Sequence, residues 1–107
     1  MSHVTTHVLD TAAGRPAAGI DVLLSGPRDD GTIGAIASGT TDADGRIASL
    51  GPDELTPGEY RLEFVIGGYA PGGFFPRVTI EFVVSGPEHY HVPLLLSPFG
   101  YTTYRGS

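Results

Sequence analysis

The sequence predicts an all-β sandwich, and three observations support this fold class. Short runs rich in β-branched and aromatic residues recur at intervals of roughly 8–12 residues, which is the spacing of strands in a sandwich. The 16 glycines and 9 prolines punctuate these runs and supply the turns between them. No window has the periodicity of an amphipathic helix.

The first half of the chain contains the less regular strands. Residues 4–9 and 20–24 should form the first two strands, because both runs are dominated by Val, Thr, Ile and Leu. A weaker strand is expected over residues 32–41, which glycines interrupt. A tight turn follows at Asp42-Ala43-Asp44-Gly45, whose glycine can adopt a positive φ, and residues 46–48 form a short strand after it.

The second half contains strands with a clear alternation. Residues 59–65 and 77–84 alternate polar and apolar side chains, so each should have one buried face. The last two strands are expected at residues 89–96 and 101–105. Between the two alternating strands, residues 67–73 carry a proline and four glycines, which oppose a helix and allow at most a distorted turn. The inward residues of the alternating strands are Tyr60, Leu62, Phe64, Val78, Ile80, Phe82 and Val84.

Composition narrows the possible functions. The 107 residues suit a single domain, residues 1–107, with one core. The net charge is −6 and the six basic residues are scattered arginines, which argues against a nucleic-acid partner. There is no Cys for disulfide or thiol chemistry. No membrane span or signal peptide is recognisable, so no membrane partner is expected and the cytoplasm is the default location.

Candidate functional residues follow from strand parity. With its valines in the core, the first strand must point His7 outward, because alternate residues share a face. By the same rule His91 faces outward beside Pro93 and Leu95. This apolar strip needs a cover, and a second copy of the chain would both cover it and enclose the two imidazoles in a groove. The core face of that strand should hold Tyr90, Val92, Leu94 and Leu96.

Each candidate also has an ordinary explanation. An outward His on a strand is most often a solvated surface residue. Arg46 follows an acidic turn and could simply pair with one of its carboxylates at little energetic gain. His89 and His91, with His7 as a third ligand, could hold a metal ion, although zinc sites usually add a carboxylate or a second anchored pair.

Five stretches form a set that is more informative than its members. They are Thr6-His7-Val8-Leu9-Asp10-Thr11, Gly14-Arg15-Pro16-Ala17, Asp44-Gly45-Arg46, the run at residues 89–98, and Tyr104-Arg105-Gly106-Ser107. In this order they resemble the transthyretin-related 5-hydroxyisourate hydrolases. The terminal tetrapeptide is the most specific part, because transthyretins, the hormone-carrying relatives, end differently. Transthyretins also have other residues at the positions of His7, Arg46 and His91, which favours a hydrolase over a carrier. A non-catalytic small-ligand binding protein of transthyretin type is the alternative.

The resemblance implies a transthyretin-like (prealbumin-like) β-sandwich of two four-stranded sheets. It also implies a homotetramer, built as a dimer of dimers, with active sites at the dimer–dimer interface. Family members usually have a short helix between the fifth and sixth strands, and the glycine-rich residues 67–73 indicate that this helix is short or absent here. No metal or other cofactor is implied.

The reaction implied is hydrolysis of 5-hydroxyisourate, the product of urate oxidation, to 2-oxo-4-hydroxy-4-carboxy-5-ureidoimidazoline. The catalytic residues implied are His7, Arg46, His91 and Ser107. The substrate contacts implied are His7, Arg46, Tyr104 and Arg105. A neutral imidazole suits removal of a proton from water, and a fixed guanidinium suits stabilisation of the carbonyl oxygen as it gains charge.

Several roles stay open at this point. Either His7 or His91 could be the general base, and the role of His89 is undefined. Arg105 could touch the substrate or anchor the tail through a carboxylate. Gly106 is expected to supply a bend.

Overall fold

The chain folds as strands connected by turns and loops. A computed structural model describes residues 2–106 and contains, over that range, ten strands and no helix. No helix in this part of the chain is therefore available to cross a membrane. The strands are β1 Val4–Thr5, β2 Val8–Asp10, β3 Arg15–Pro16, β4 Asp21–Pro27, β5 Ile33–Thr40, β6 Gly58–Val65, β7 Arg77–Val84, β8 Tyr90–His91, β9 Leu94–Ser97 and β10 Gly100–Thr103.

Two four-stranded sheets enclose the core, as predicted. One has the order β10-β9-β2-β3 and the other the order β5-β4-β6-β7. The second sheet is antiparallel throughout, whereas the first joins β2 to β9 in parallel. β1 and β8 also pair in parallel, so the first two strands of the chain both pair with strands near its end.

Two predicted strands are each broken in two. Residues 4–9 divide into β1 and β2, and residues 89–96 divide into β8 and β9. The second break falls at Val92-Pro93, where proline has no N–H to donate to the ladder. The two breaks face each other: Val92 N–H donates to Thr5 O and Leu94 N–H donates to His7 O, both at 2.9 Å.

The strand predicted at residues 46–48 is wrong. Arg46 forms only an isolated antiparallel bridge with His7. The preceding turn is as predicted, with Gly45 at φ 74° and its N–H bonded to Asp42 O at 2.9 Å. After this bridge Ile47 turns into the core, so the pairing cannot continue. In addition, Arg15–Pro16 forms the short strand β3 against β2, which was not among the predicted strands.

The segment before β7 forms turns instead of a helix. The N–H groups of Tyr69 and Ala70 both bond to Ile66 O, at 3.0 and 2.9 Å. Pro71 and Gly72 follow these turns, and Gly72 has a φ of 76°. The expectation of a short or absent helix is confirmed.

The core consists of the faces predicted from alternation. Tyr60, Leu62 and Phe64 are almost fully buried, and of the inward residues only Phe82 is half-exposed. The predicted exposed strip beside His91 is smaller than expected, since Pro93 is buried and Leu95 half-buried. The reason is that the end of the chain runs alongside this segment, where the Thr103 hydroxyl donates to Pro93 O at 2.8 Å.

Candidate active site

Two imidazoles are positioned by β8 and its parallel partner β1. The register places Thr5 opposite His91. The Thr5 Oγ1 atom lies 2.9 Å from His91 Nδ1 and 2.7 Å from His89 Nε2. His91 is half-buried and His89 is exposed, so one hydroxyl links a sheltered imidazole to a solvated one.

His7 lies at the other side of the site, at the break between β1 and β2. Its backbone bridges to Arg46, and its Nε2–H donates to Asp44 O at 2.7 Å. Because a carbonyl oxygen can only accept, a neutral His7 has its proton on Nε2 and its lone pair on Nδ1. Nδ1 is therefore the His7 nitrogen that is available to a substrate or a water molecule.

Arg46 is presented by the tight turn that precedes it. Asp42 Oδ1 accepts from the backbone N–H groups of Asp44 and Arg46, at 2.9 and 3.1 Å, and so shapes the turn. Gly45 is required, because a Cβ there would lie 2.3 Å from Val8 O. Between residues 2 and 106 the exposed Arg46 guanidinium forms no ion pair with the acids of this turn. The ordinary explanation of Arg46 as a partner of Asp42 or Asp44 is therefore not supported.

An open groove of about 440 Å³ joins these elements. It is lined by Thr5, Thr6, Arg46, Ile47, Ala48, His89 and His91. His7 is not part of the lining, but its bridge to Arg46 places it at the rim. Three of the predicted residues, His7, Arg46 and His91, are thus brought together from three separate segments.

The electrostatics of the groove favour a neutral His91. Burial lowers the pKa of His91, and the positive charge of Arg46 and the imidazoles of His7 and His89 lower it further. A half-buried imidazole with a lowered pKa is uncharged at neutral pH and can accept a proton. The same charges are suited to stabilise an anion that forms in the groove.

The tail is divided between the groove and a second cavity. Gly106 bridges to His91, with its N–H bonded to His91 O at 2.8 Å. Tyr104 and Arg105 instead line a cavity of about 360 Å³ between β7 and β10. Within one chain the structure therefore does not bring these two predicted substrate contacts into the groove, and the predicted Ser107 lies outside the described residues.

Arg105 has the partners expected of an anchor. Its guanidinium carbon lies 4.4 Å above the Tyr90 ring, and its Nη2 lies 3.9 Å from Glu88 Oε1. The Tyr90 hydroxyl also donates to Glu88 Oε1 at 2.5 Å. Of the two roles left open for Arg105, anchoring through a carboxylate is the one that this geometry favours.

Gly106 packs closely against His91. It is absent from the glycines with positive φ in the described chain. A Cβ on Gly106 would lie 2.5 Å from His91 Cδ2. The absence of a side chain therefore lets the tail pack closely against the imidazole, and the bend expected at Gly106 stays a prediction.

The geometry gives little support to a metal site. Over residues 2–106 no three His, Cys, Asp or Glu side chains are grouped so that they could hold a metal ion. His89 and His91 both point at the Thr5 hydroxyl, whereas the ring of His7 is directed to Asp44 O.

Thr5 is the residue that the sequence did not single out. Parity placed it on the same face as His7, which was the available signal. Its position beside His91 depends on the parallel pairing of two strands that are 86 residues apart. No local pattern reports such a pairing.

Comparisons with known proteins show which family the chain resembles. The sequence profile of the HIUase/Transthyretin family matches residues 4–106. The 5-hydroxyisourate hydrolase of Caulobacter vibrioides is 47% identical over 116 residues, which cover 100% of both chains. The solved 5-hydroxyisourate hydrolase of Klebsiella pneumoniae has a TM-score of 0.85 and 38% identity, again with 100% of both chains covered. Sea bream transthyretin, solved with thyroxine, has a TM-score of 0.85 and 34% identity over 96% of this chain and 93% of its own.

Proposed function

The chain belongs to the HIUase/transthyretin family, and we propose that it hydrolyses 5-hydroxyisourate in urate degradation. The product is 2-oxo-4-hydroxy-4-carboxy-5-ureidoimidazoline, formed when water opens a ring amide. One observation carries the proposal: Arg46 and the neutral His91 line a single groove, and His7 is bridged to its rim. These are the groups that amide hydrolysis requires.

We assign the general base to His91. Its Nδ1 is occupied by Thr5, so Nε2 is the nitrogen that takes a proton from the attacking water. The water oxygen bonds to the ring carbonyl carbon, and the carbonyl oxygen becomes an oxyanion. Collapse of this intermediate breaks the C–N bond, and His91 Nε2–H returns the proton to the leaving nitrogen. General acid–base help of this kind contributes a factor of about 10²–10⁴.

Arg46 and His7 stabilise and orient the reacting groups in this scheme. The guanidinium donates to the oxyanion, where a fixed donor has its largest effect. His7, held by Asp44 O through Nε2, accepts from a substrate N–H or from the water through Nδ1. Tyr104 and Ser107 remain predicted substrate contacts, and Arg105 is assigned to anchoring of the tail.

We also propose that residues 1–107 form one domain and that the domain assembles as a homotetramer, a dimer of dimers. The end strands β10 and β7 leave Tyr101 and Val83 exposed, at 43% and 59%, beside Tyr104 at 56%. Unpaired edges with apolar side chains favour pairing with another copy. The groove is open to solvent, and a second copy across it would exclude water.

Sedimentation velocity tests this assembly, and a monomer at assay concentrations would contradict it. The cytoplasmic location stays a prediction, for cell fractionation to test.

An ultraviolet assay tests the activity. Hydroxyisourate is generated with urate oxidase, the protein is added, and decay of the intermediate's absorbance is followed. We expect decay well above the spontaneous rate for the wild type and a loss of about 10²-fold or more for His91→Asn. Decay at the spontaneous rate with the wild-type protein would contradict the hydrolase and leave the small-ligand carrier. That alternative is less supported, since the hydrolase relative is 47% identical and the transthyretin 34%.

A further inference from the structure

The Thr5 hydroxyl lies between the two imidazoles of β8. Its oxygen is 2.7 Å from His89 Nε2 and 2.9 Å from His91 Nδ1, both within hydrogen-bond distance. The position is fixed by the backbone, because Thr5 pairs with His91 in the β1–β8 register and Thr5 O accepts from Val92 N–H at 2.9 Å. The strand pairing therefore fixes the position of the Thr5 side chain relative to His91.

A single hydroxyl proton cannot serve both rings. If Thr5 donates to His91 Nδ1, the proton of neutral His91 is on Nε2, and that nitrogen cannot accept another. If Thr5 donates to His89 Nε2, its oxygen accepts from His91 Nδ1–H, and His91 Nε2 has a free lone pair. Only the second arrangement leaves His91 ready to act as a base from its remaining nitrogen.

We propose that Thr5 is a positioning residue that acts through His91: its hydroxyl donates to His89 and holds His91 in the tautomer whose Nε2 is unprotonated. The proposal rests on the proposed function for its catalytic consequence, but its structural part concerns only the free protein. When His91 Nε2 accepts the proton of water, the Nδ1–H bond to Thr5 stays in place and stabilises the imidazolium. No proton leaves Thr5 in the cycle, and His89 gains a role as the acceptor that orients the hydroxyl.

Thr5→Val tests the inference, because valine retains the branched shape and lacks the hydroxyl. We expect kcat to fall about tenfold to a hundredfold, which corresponds to loss of one hydrogen bond to a charged group. KM should be unchanged, since Thr5 does not contact the substrate in this scheme. Thr5→Ser retains the hydroxyl and should recover most of the lost kcat. Thr11→Val is the matched control, because the Thr11 hydroxyl donates to Leu96 O at 3.0 Å and Thr11 is not part of the groove lining.

The decisive measurement is the tautomer of His91 in the free protein, read from the nitrogen-15 shifts of its ring above the titration range. The wild type should be protonated mainly on Nδ1. Thr5→Val should shift the population toward Nε2–H, and His89→Ala should do so as well, because the hydroxyl then has only His91 to donate to. Thr11→Val should leave the tautomer unchanged.

The outcomes separate this proposal from the proposed function. Unchanged His91 shifts in Thr5→Val would overturn the positioning role whatever the activity. A changed tautomer with wild-type kcat in an active enzyme would overturn it as well. A changed tautomer in a wild-type protein that does not hydrolyse hydroxyisourate would support the role of Thr5 and contradict the proposed function alone.

Discussion

His7 and Arg46 face each other across an isolated antiparallel bridge, which holds the guanidinium beside the groove that His91 lines. The bridge joins the break between β1 and β2 to a tight turn. The bridge therefore fixes the backbone of Arg46, whose guanidinium has no carboxylate partner in the described chain.

Arg46→Gln should impair turnover more than stability. Loss of one transition-state donor costs about 10²–10³-fold in rate, whereas the exposed side chain contributes little to folding. The pKa of His91 should rise, because the Arg46 charge is the largest cause after burial that lowers it. The ultraviolet assay and an NMR titration of His91 measure these effects. The control is Arg77→Gln, since Arg77 is an exposed arginine 3.8 Å from Glu63, and it should change neither turnover nor the pKa of His91. Wild-type turnover in Arg46→Gln would refute the proposed role of Arg46.

The pH dependence should report His91. Its pKa is below the ordinary value of 6.5, so the neutral base persists into mildly acidic solution. We expect kcat/KM to fall on the acid side with an apparent pKa below 6.5, and the Arg46→Gln profile to shift toward higher pH. If kcat/KM instead fell on the acid side with an apparent pKa above 6.5, this would contradict His91 as the base.

The same residue makes folding stability depend on pH. Between the ordinary pKa of 6.5 and the lower folded value, the unfolded chain binds more protons than the folded one. The contribution of His91 to the free energy of unfolding therefore decreases as the pH falls through this window. Urea denaturation of the wild type and of His91→Asn measures it: the difference between their free energies of unfolding should be constant above the window and change as the pH falls through it.

Gly106→Ala should disturb His91 without unfolding the protein. The added methyl group would lie 2.5 Å from His91 Cδ2, so the ring or the tail must move. Misplacement of a catalytic group by about 1 Å can cost about 10²-fold in rate. Turnover and Tm are the measurements, with Gly68→Ala as the control because nothing lies within 4 Å of its added methyl. Full activity in Gly106→Ala would show that the close packing is not needed.

Tyr69→Phe should lower stability and leave catalysis intact. The Tyr69 hydroxyl donates to Asp10 Oδ2 at 2.6 Å and ties the turns before β7 to the end of β2. Its loss should cost about 1 kcal/mol in the free energy of unfolding at neutral pH. Tyr101→Phe is the control, since it removes a hydroxyl and retains the ring contact with Phe75.

The Tyr69→Phe effect should itself depend on pH. The Tyr69 hydrogen bond is the largest cause that lowers the pKa of Asp10, followed by the Ala13 N–H. A lowered carboxyl pKa gives stability that is present above the ordinary value of 3.8 and is lost as the pH falls through the folded value. The gap between wild type and variant should therefore narrow in acid. A gap independent of pH would argue that only packing was lost.

Chelation should not affect turnover. The imidazoles of His89 and His91 contact the Thr5 hydroxyl, and the imidazole of His7 contacts Asp44 O. We expect the same rate before and after dialysis against EDTA. A loss of activity that zinc restores would favour a metal-dependent hydrolase.

Local sequence rules predicted most of the strands and the outward placement of His7 and His91. Alternation sufficed for β6 and β7, where one face is apolar throughout. It failed at Pro93, which the end of the chain covers, and at residues 46–48, where Ile47 enters the core after a single bridge. Alternation could not predict the contact of Thr5 with His91, because that contact depends on the parallel pairing of two strands that are distant in sequence.

The parallel pairing of β1 with β8 has a consequence for synthesis. Thr5 and His91 meet across 86 residues, so the groove cannot assemble on the ribosome until the last strands of the nascent chain have emerged. A prematurely terminated chain that lacks β8 would retain His7 and Arg46 but would lack His91, the proposed base. In the proposed mechanism, such a chain would be inactive.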